Sequence, residues 1–344
     1  MYLHGGITDE KLLDFSANIN FLGMPQKARE AAILGVMQSE RYPDPQCHAL
    51  KEVAATYHTI SPEMIVFGNG ASELIYGLFL ALQPKRVLMH APIFQEYVQA
   101  ATNVGAKMTF VPLKREQDFL PDEAILEEIT PEISLVVLVQ PNNPTGHMLK
   151  KELFSKILKR CEACGCHLLI DESFLELVDE EKQYSCIPLL QEHPCLIALK
   201  SLTKLYALPG LRIGYVLSAE EKLIQKLENI LPSWNVSYPA QEAGCACFLE
   251  DNFVRETRMQ LFMQKKNLLN QLLRFPIKVY GHDANFIFFE GPTSLGEKLK
   301  KMGIVIRDCS NFRGLKEGDY RICVRGEADN RRLIEELRAL IYHS

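Results

Sequence analysis

From residue 64 onward the apolar positions fall in short, dense blocks rather than long helical stripes. MIVFG (64–68), RVLMHA (86–91), KMTFVPL (107–113), LVVLV (135–139), HLLID (167–171), CLIAL (195–199) and LRIGYVLS (211–218) are aliphatic and often β-branched, with few polar interruptions. Such runs predict strands buried on both faces. Between several of them lie segments of helical period, over 71–82, 94–104 and 150–164. Strand, turn and helix in alternation predict an α/β chain with a mixed, mostly parallel sheet, whose ligands gather beyond the carboxyl ends of the strands.

The ends of the chain are patterned differently. LLDFSANINFLGMP (12–25) has no sustained helical period and carries turn formers at Asn18, Asn20 and Gly23, which predicts an extended arm. An amphipathic helix is expected over 26–38, stopped by Pro43 and Pro45 of RYPDPQ, and a second over 47–58. After Tyr238 the pattern becomes helical to about residue 273. Strands around IKVYG and NFIFFEG follow, then a helix near 294–302, strands at IVIRDCS and YRICVRG, and a final helix over 328–341. The expected division is an arm with part of the small domain (1–40), a large α/β/α domain (41–240) and a small α+β domain (241–344). No internal repeat interrupts it.

Composition narrows the partners. The 344 residues are 47% hydrophobic and 24% charged, with a net charge of −5. A pI near 6.0 offers no basic field for nucleic acid. No run reaches the ~18 apolar residues of a membrane span. A small molecule is therefore the expected partner, and MYLHGGITDE, without the regions of a signal peptide, gives the cytoplasm as the expected compartment. Ten cysteines in such a chain are expected as reduced thiols. Cys161, Cys164, Cys166 and His167 resemble a metal set, but the first two end a helical pattern and Gly165 reads as its cap. Structural zinc draws its ligands from two separated pairs, so no metal is expected. Cys245 and Cys247 read as core.

The chemistry centres on SLTKLYALPGLRIGY (201–215). Lys204 follows the end of a buried strand, and Pro209 and Gly210 forbid a simple helix, so a fixed loop is expected. Ser201 and Thr203 can donate to phosphate oxygens, and Arg212, eight residues past the lysine, offers a planar fork to the same group. Together they describe a phosphate-bearing aldehyde held on lysine as a Schiff base, although a lone lysine between hydroxyls also reads as a solvated loop residue. Gly70, Ala71 and Ser72, between a strand and a helix, read either as an anion site or as a tight turn. Phe94 can stack on a flat ring or fill the core. Asn143, in the stiff turn PNNPTG (141–146), can hydrogen-bond a ring hydroxyl. Asp171, closing HLLID, reads as a partner for a protonated pyridine nitrogen or as a helix cap.

In this order and spacing, PNNPTG, the aspartate after an apolar strand, and SLTK with its following arginine resemble the fold-type I pyridoxal-phosphate enzymes of the class I/II aminotransferase group, from the Asn18 region to YRICVR. The resemblance implies an aspartate aminotransferase-like fold and pyridoxal 5'-phosphate as cofactor. It implies Lys204 as the Schiff-base lysine with Thr203 beside it, Asp171 on the pyridinium, Asn143 on the ring oxygen and Phe94 stacked on the ring. Gly70, Ala71, Ser72, Ser201 and Arg212 would form the phosphate cup, and Arg321 would hold the substrate α-carboxylate. Tyr42 of RYPDP would reach the cofactor phosphate of a neighbouring subunit, which implies a homodimer.

Two branches of the group compete. HGG (4–6), LLDFSANIN followed by LGMP, and SLTKLYALPGLRIGY resemble the threonine-phosphate decarboxylases of cobalamin biosynthesis more than the histidinol-phosphate aminotransferases. Phe174 stands where the aminotransferases usually carry a tyrosine, and Arg325 gives YRICVR a second cation. Phe21 departs from the proline common in relatives. The implied reaction, of a lyase, is decarboxylation of L-threonine O-3-phosphate to (R)-1-amino-2-propanol phosphate; the alternative is amino transfer between glutamate and imidazole-acetol phosphate. On this reading Arg325, His4 and the backbone of Gly5 and Gly6 meet the substrate phosphate, with Asn20 also in the substrate site, although Arg325 reads equally as half of a surface ion pair. A cofactor-binding regulator without turnover is disfavoured by an acidic chain with no appended helix-turn-helix.

Overall fold

The computed structural model describes residues 5–7, 9, 11–178 and 181–342. The seven apolar blocks become one seven-stranded sheet, in the order Ile65–Gly68, Gly214–Ser218, Leu196–Ser201, His167–Asp171, Leu135–Val139, Arg86–Ala91, Lys107–Pro112. Gly214–Ser218 runs antiparallel to both neighbours and the remaining neighbours are parallel. The dense apolar runs are explained by two-sided burial. Along Leu135–Val139, Val136 and Leu138 enter the core under the helix Lys151–Cys164, while Leu135, Val137 and Val139 face Gly70–Leu82, Gln95–Asn103 and Glu221–Ile230. A polar residue on either side would be buried without water.

A second, antiparallel sheet has the order Arg307–Asp308, Asp319–Cys323, Phe286–Glu290, Lys278–Val279. The helices Asp251–Leu272 and Glu327–Tyr342 cover it through Leu268, Leu272, Leu333 and Leu337. The N-terminal arm joins this part of the molecule rather than lying free. Leu13–Asp14 pairs in parallel with Ile304–Val305, and Phe15 O accepts from Cys323 N at 2.8 Å. Gln26–Met37 packs closely on Tyr238–Cys247, where a Cβ at Gly35 would lie 2.7 Å from Pro239 Cα.

One local expectation is corrected. The segment after Ser201 is a one-turn helix, Leu202–Leu205, not a loop. Ser201 Oγ accepts from Thr203 N at 3.3 Å and so caps it, and Ala207 at φ 50° with Pro209 ends it within one turn. Among the described residues no helix is long and apolar enough to cross a membrane, and no group of three His, Cys, Asp or Glu side chains stands ready for a metal. Gly165, in the left-handed conformation at φ 69°, does cap the helix that carries Cys161 and Cys164.

The two sheets meet where backbone approaches backbone. Asp283 N donates to Gly146 O at 2.8 Å, and a Cβ built on Gly281 would fall 1.9 Å from Thr145 O. Glycine is required there by space. Gly281→Ala should therefore cost roughly 1–3 kcal/mol by forcing the two segments apart, read as a lower urea midpoint with an unchanged slope.

Candidate active site

A cavity of about 290 Å³ opens beyond the carboxyl ends of Leu135–Val139, His167–Asp171 and Leu196–Ser201, closed over by the arm and the second sheet. Its lining includes Gly5, Ala71, Ser72, Phe94, Asn143, Asp171, Ser201, Thr203, Lys204, Arg212 and Arg321, eleven positions expected from the sequence, Gly5 and Arg321 among them through the family resemblance alone.

Lys204 is placed by its short helix and by the arm. Asn20 N donates to Lys204 O at 3.1 Å, while Asn20 Nδ2 donates to Leu205 O at 2.7 Å and Thr257 Oγ1 at 2.9 Å. Asn20 is thus spent on holding the helix and does not reach the cavity, which corrects its assignment to substrate. The Lys204 ammonium lies 5.7 Å from the Phe174 ring centre. Burial pulls its pKa down to about 8, and the positive charges of Arg321 and Arg212 add to the effect against the smaller opposing influence of Cys323 and Asp171. A useful fraction of the amine is therefore neutral near pH 7 and can act as a nucleophile or base.

Asp171 is fixed from two sides: Tyr97 OH donates to Oδ2 at 2.8 Å and Ser173 N to Oδ1 at 2.9 Å. Burial pushes its pKa up, and these hydrogen bonds hold it down in part. A cationic ligand atom would gain most from such a carboxylate. At the opposite wall Gly70–Leu82 begins. Gly70 sits at φ 82°, and a Cβ there would stand 2.5 Å from Arg212 Nη2, so the missing side chain lets the guanidinium lie against the helix start. With Ala71, Ser72 and Ser201 it makes one end of the cavity receptive to an anion. Phe94 caps the helix Gln95–Asn103 and lies edge-on to Tyr97, 6.4 Å between ring centres.

Arg321 is buried and shared between parts of the fold. It donates to Asn143 Oδ1 and, at 2.9 Å, to Ser16 O. With its amide oxygen turned inward, Asn18 lies 3.3 Å from both Nε and Nη1. Burial lowers the Arg321 pKa to about 10, still well above neutrality. Asn143 is itself held by its turn, where Asn142 Nδ2 donates to Pro92 O at 3.2 Å and Thr145 Oγ1 at 2.9 Å.

Three further expected residues, Arg325, Gly6 and Tyr42, lie outside the lining. Arg325 does not line the cavity: it pairs with Asp329 at 2.8 Å and donates to Asp14 O at 3.0 Å, which is the surface-pair alternative. Gly6 lies just behind the lining, its N–H on Ser16 Oγ at 2.9 Å, and His4 is outside the described residues. Tyr42 stands away from the cavity, 77% exposed and stacked on Trp234 at 4.5 Å. Arg307 was missed. It lines the cavity from the edge strand, in register with Arg321, with Nη2 on Asn311 Oδ1 at 2.9 Å and its guanidinium over Phe312. The signal was an arginine, beside Asp308, closing the apolar run IVI of IVIRDCS. Tyr97 left no signal, being one aromatic on an ordinary amphipathic helix.

The description "Aminotransferase class I and II" fits residues 10–337. The chain is 33% identical to threonine-phosphate decarboxylase of Salmonella typhimurium over 98% of this chain and 93% of that protein. It is 31% identical to an adenosylcobalamin biosynthesis bifunctional protein of Leptospira interrogans, covering 98% of this chain and 40% of the longer relative. The crystal structure of a histidinol-phosphate aminotransferase from Clostridium acetobutylicum superposes with a TM-score of 0.91 at 28% identity, over 97% of this chain and 100% of that one.

The Lys204 environment is directly measurable. Reductive alkylation of the ligand-free protein by a small aldehyde, followed by peptide mapping, should label Lys204 with a midpoint near pH 8 instead of the ordinary 10.5. The rate should rise with pH through that midpoint, because the deprotonated form is the reactive one; a midpoint above 10 would contradict the site as described.

Proposed function

The chain belongs to the class I and II aminotransferase family, and from that premise we propose that it binds pyridoxal phosphate and decarboxylates L-threonine O-3-phosphate to (R)-1-amino-2-propanol phosphate and CO2. The observation that carries the reading is the pair of arginines, Arg307 and Arg321, side by side across two strands above a single partly neutral lysine. Two guanidinium forks suit a substrate with two anionic ends, a carboxylate and a phosphate. The similarity to threonine-phosphate decarboxylase along nearly the full chain points the same way.

The cavity fits the cofactor by donor chemistry. Ala71, Ser72, Ser201 and Arg212 would take its phosphate, Phe94 its ring face, Asp171 its ring nitrogen, Asn143 its ring oxygen and Lys204 its aldehyde. Bound there, it supplies an electron sink for charge released at the substrate α-carbon. The protein supplies orientation. Arg321 fixes the α-carboxylate and Arg307 the phosphate, and two anchors on one small molecule decide which α-carbon bond faces the sink. Lys204 would be the group placed to return a proton to the α-carbon once CO2 has left. Phe174 offers no hydroxyl beside this lysine, so proton traffic is left to Lys204.

We infer also that two copies associate through the surface carrying Tyr42. Ile33, Leu34, Val36 and Met37 of Gln26–Met37 are 56–74% exposed, an apolar row a few residues before Tyr42, itself exposed and stacked on Trp234.

Purified protein supplied with pyridoxal phosphate and L-threonine O-3-phosphate should release CO2 without keto acid. Arg307→Met should raise KM by roughly 30-fold or more, the cost of removing one partner of a desolvated charge pair. Amino transfer from histidinol phosphate to 2-oxoglutarate without CO2 release would replace this reading by the aminotransferase one, which the overall similarity to the Clostridium enzyme favours.

A further inference from the structure

Arg115 stands outside the cavity, on the one-turn 3-10 helix Arg115–Gln117 that follows the edge strand Lys107–Pro112 of the large sheet. Its fork closes on Asp319, Nη1 to Oδ1 at 3.0 Å and Nη2 to Oδ2 at 2.6 Å. Nη1 also donates to Tyr280 OH and to Glu290 Oε2, each at 2.9 Å. Tyr280 OH donates to Glu290 Oε2 at 2.6 Å, and Lys316 pairs with Glu290 Oε1 at 2.7 Å. Two cations meet two carboxylates, and the Asp319 side chain has no exposure at all. The guanidinium lies 5.0 Å from the Phe119 ring centre and 5.6 Å from that of Tyr280. Both rings belong to an apolar cluster with Leu113, Phe288 and Phe312, and Phe312 also lines the cavity.

The location of the clasp gives it consequence. Asp319 opens the strand that carries Arg321, two residues on and on the same face. Glu290 lies opposite Asp319, and Arg307 lies opposite Arg321. One large-sheet guanidinium therefore grips the row of the second sheet next to the row that bears both cavity arginines.

We propose that Arg115 is a positioning residue for the reaction: by clasping Asp319 and Glu290 it sets where Arg307 and Arg321 stand over Lys204, and so which α-carbon bond of a doubly anionic substrate is broken. This rests on the reading that Arg307 and Arg321 hold the substrate. Loosening the clasp lets the α-carboxylate swing, and removal of the α-hydrogen by Lys204 then competes with loss of CO2: the proton passes to Lys204, the β-carbon–oxygen bond breaks to release inorganic phosphate, and water hydrolyses the resulting enamine to 2-oxobutanoate and ammonia, so keto acid appears among the products.

Two variants test it in the cofactor-loaded protein. Arg115→Lys keeps the charge but loses the fork. Arg115→Met with Asp319→Asn removes both partners, so no buried carboxylate is left alone. Both should keep the visible absorbance of the bound cofactor, whose ligands lie on the large sheet. Amides of 319–323 should exchange hydrogen faster, KM for L-threonine O-3-phosphate should rise about tenfold or more in the double variant and less in Arg115→Lys, and the ratio of keto acid to CO2 should climb. Wild-type KM and product ratio in either folded variant would overturn the proposal. If the unmodified protein releases no CO2 but turns over histidinol phosphate, decarboxylation falls, and the clasp is judged by KM for that phosphate instead.

Discussion

A buried guanidinium must find acceptors for its donors or cost the fold dearly, and Arg321 finds them in two stretches of chain far from its own strand. Ser16 and Asn18 come from the arm, Asn143 from the turn after a central strand, and the arginine itself from the second sheet. None of these can move without stranding a buried charge. The cavity exists because that joint holds the second sheet over the carboxyl ends of the first, and Gly281 against Thr145 shows how closely the two parts are drawn together. The same cation lowers the Lys204 pKa, so the joint that shapes the site also tunes its nucleophile.

The cavity divides its tasks between the two sheets. Large-sheet residues give the floor: Asp171 bound by Tyr97 and Ser173, the helix start at Gly70 under Arg212, and Lys204 at the tip of a capped turn. These are short-range constraints within one rigid sheet and its helices. On the proposed reading the second-sheet arginines are the anion clamps, and their placement depends on contacts across the junction. Cofactor chemistry on the proposed reading thus lies with the floor, whereas choice of substrate and of bond lies with the clamps. A family with one floor and varied clamps can serve several reactions, as the differing activities in the names of this chain's relatives illustrate.

Sequence made the floor legible because its signals are local. Apolar blocks mark strands, the polar residues that follow them mark strand ends, and an α/β sheet gathers ligands at those ends, so Asn143, Asp171, Ser201 and Lys204 could be placed together before any coordinates. The clamps were harder to read. Arg321 and Arg325 sit in the same short run, YRICVR, and nothing local says which one turns inward; Arg321 points to the cavity and Arg325 to Asp329. Arg307 becomes a candidate only when its strand is known to lie in register beside Arg321. Asn20, among the arm's polar residues, looked like a ligand because its partners, Leu205 O and Thr257 Oγ1, are 185 and 237 residues away. Contacts of such separation have no periodicity to betray them.

The electrostatics of the site also limits what its two ionisable centres can do. Asp171 and Lys204 are both desolvated, and desolvation drives them toward neutrality from opposite sides, the acid upward and the amine downward. Hydrogen bonds from Tyr97 and Ser173 favour the Asp171 carboxylate, while Arg321 and Arg212 disfavour the Lys204 ammonium, so the neighbours oppose desolvation at the acid and reinforce it at the amine within a single cavity. That asymmetry needs the arginines for more than anchoring. On the proposed reading, a substrate whose α-carboxylate neutralises Arg321 removes part of the field that depressed the lysine, raising its proton affinity at the stage when it must deliver a proton. Binding and proton transfer are on that reading coupled through the Arg321 guanidinium, which ties the strength of the nucleophile in the empty site to its capacity as an acid in the filled one.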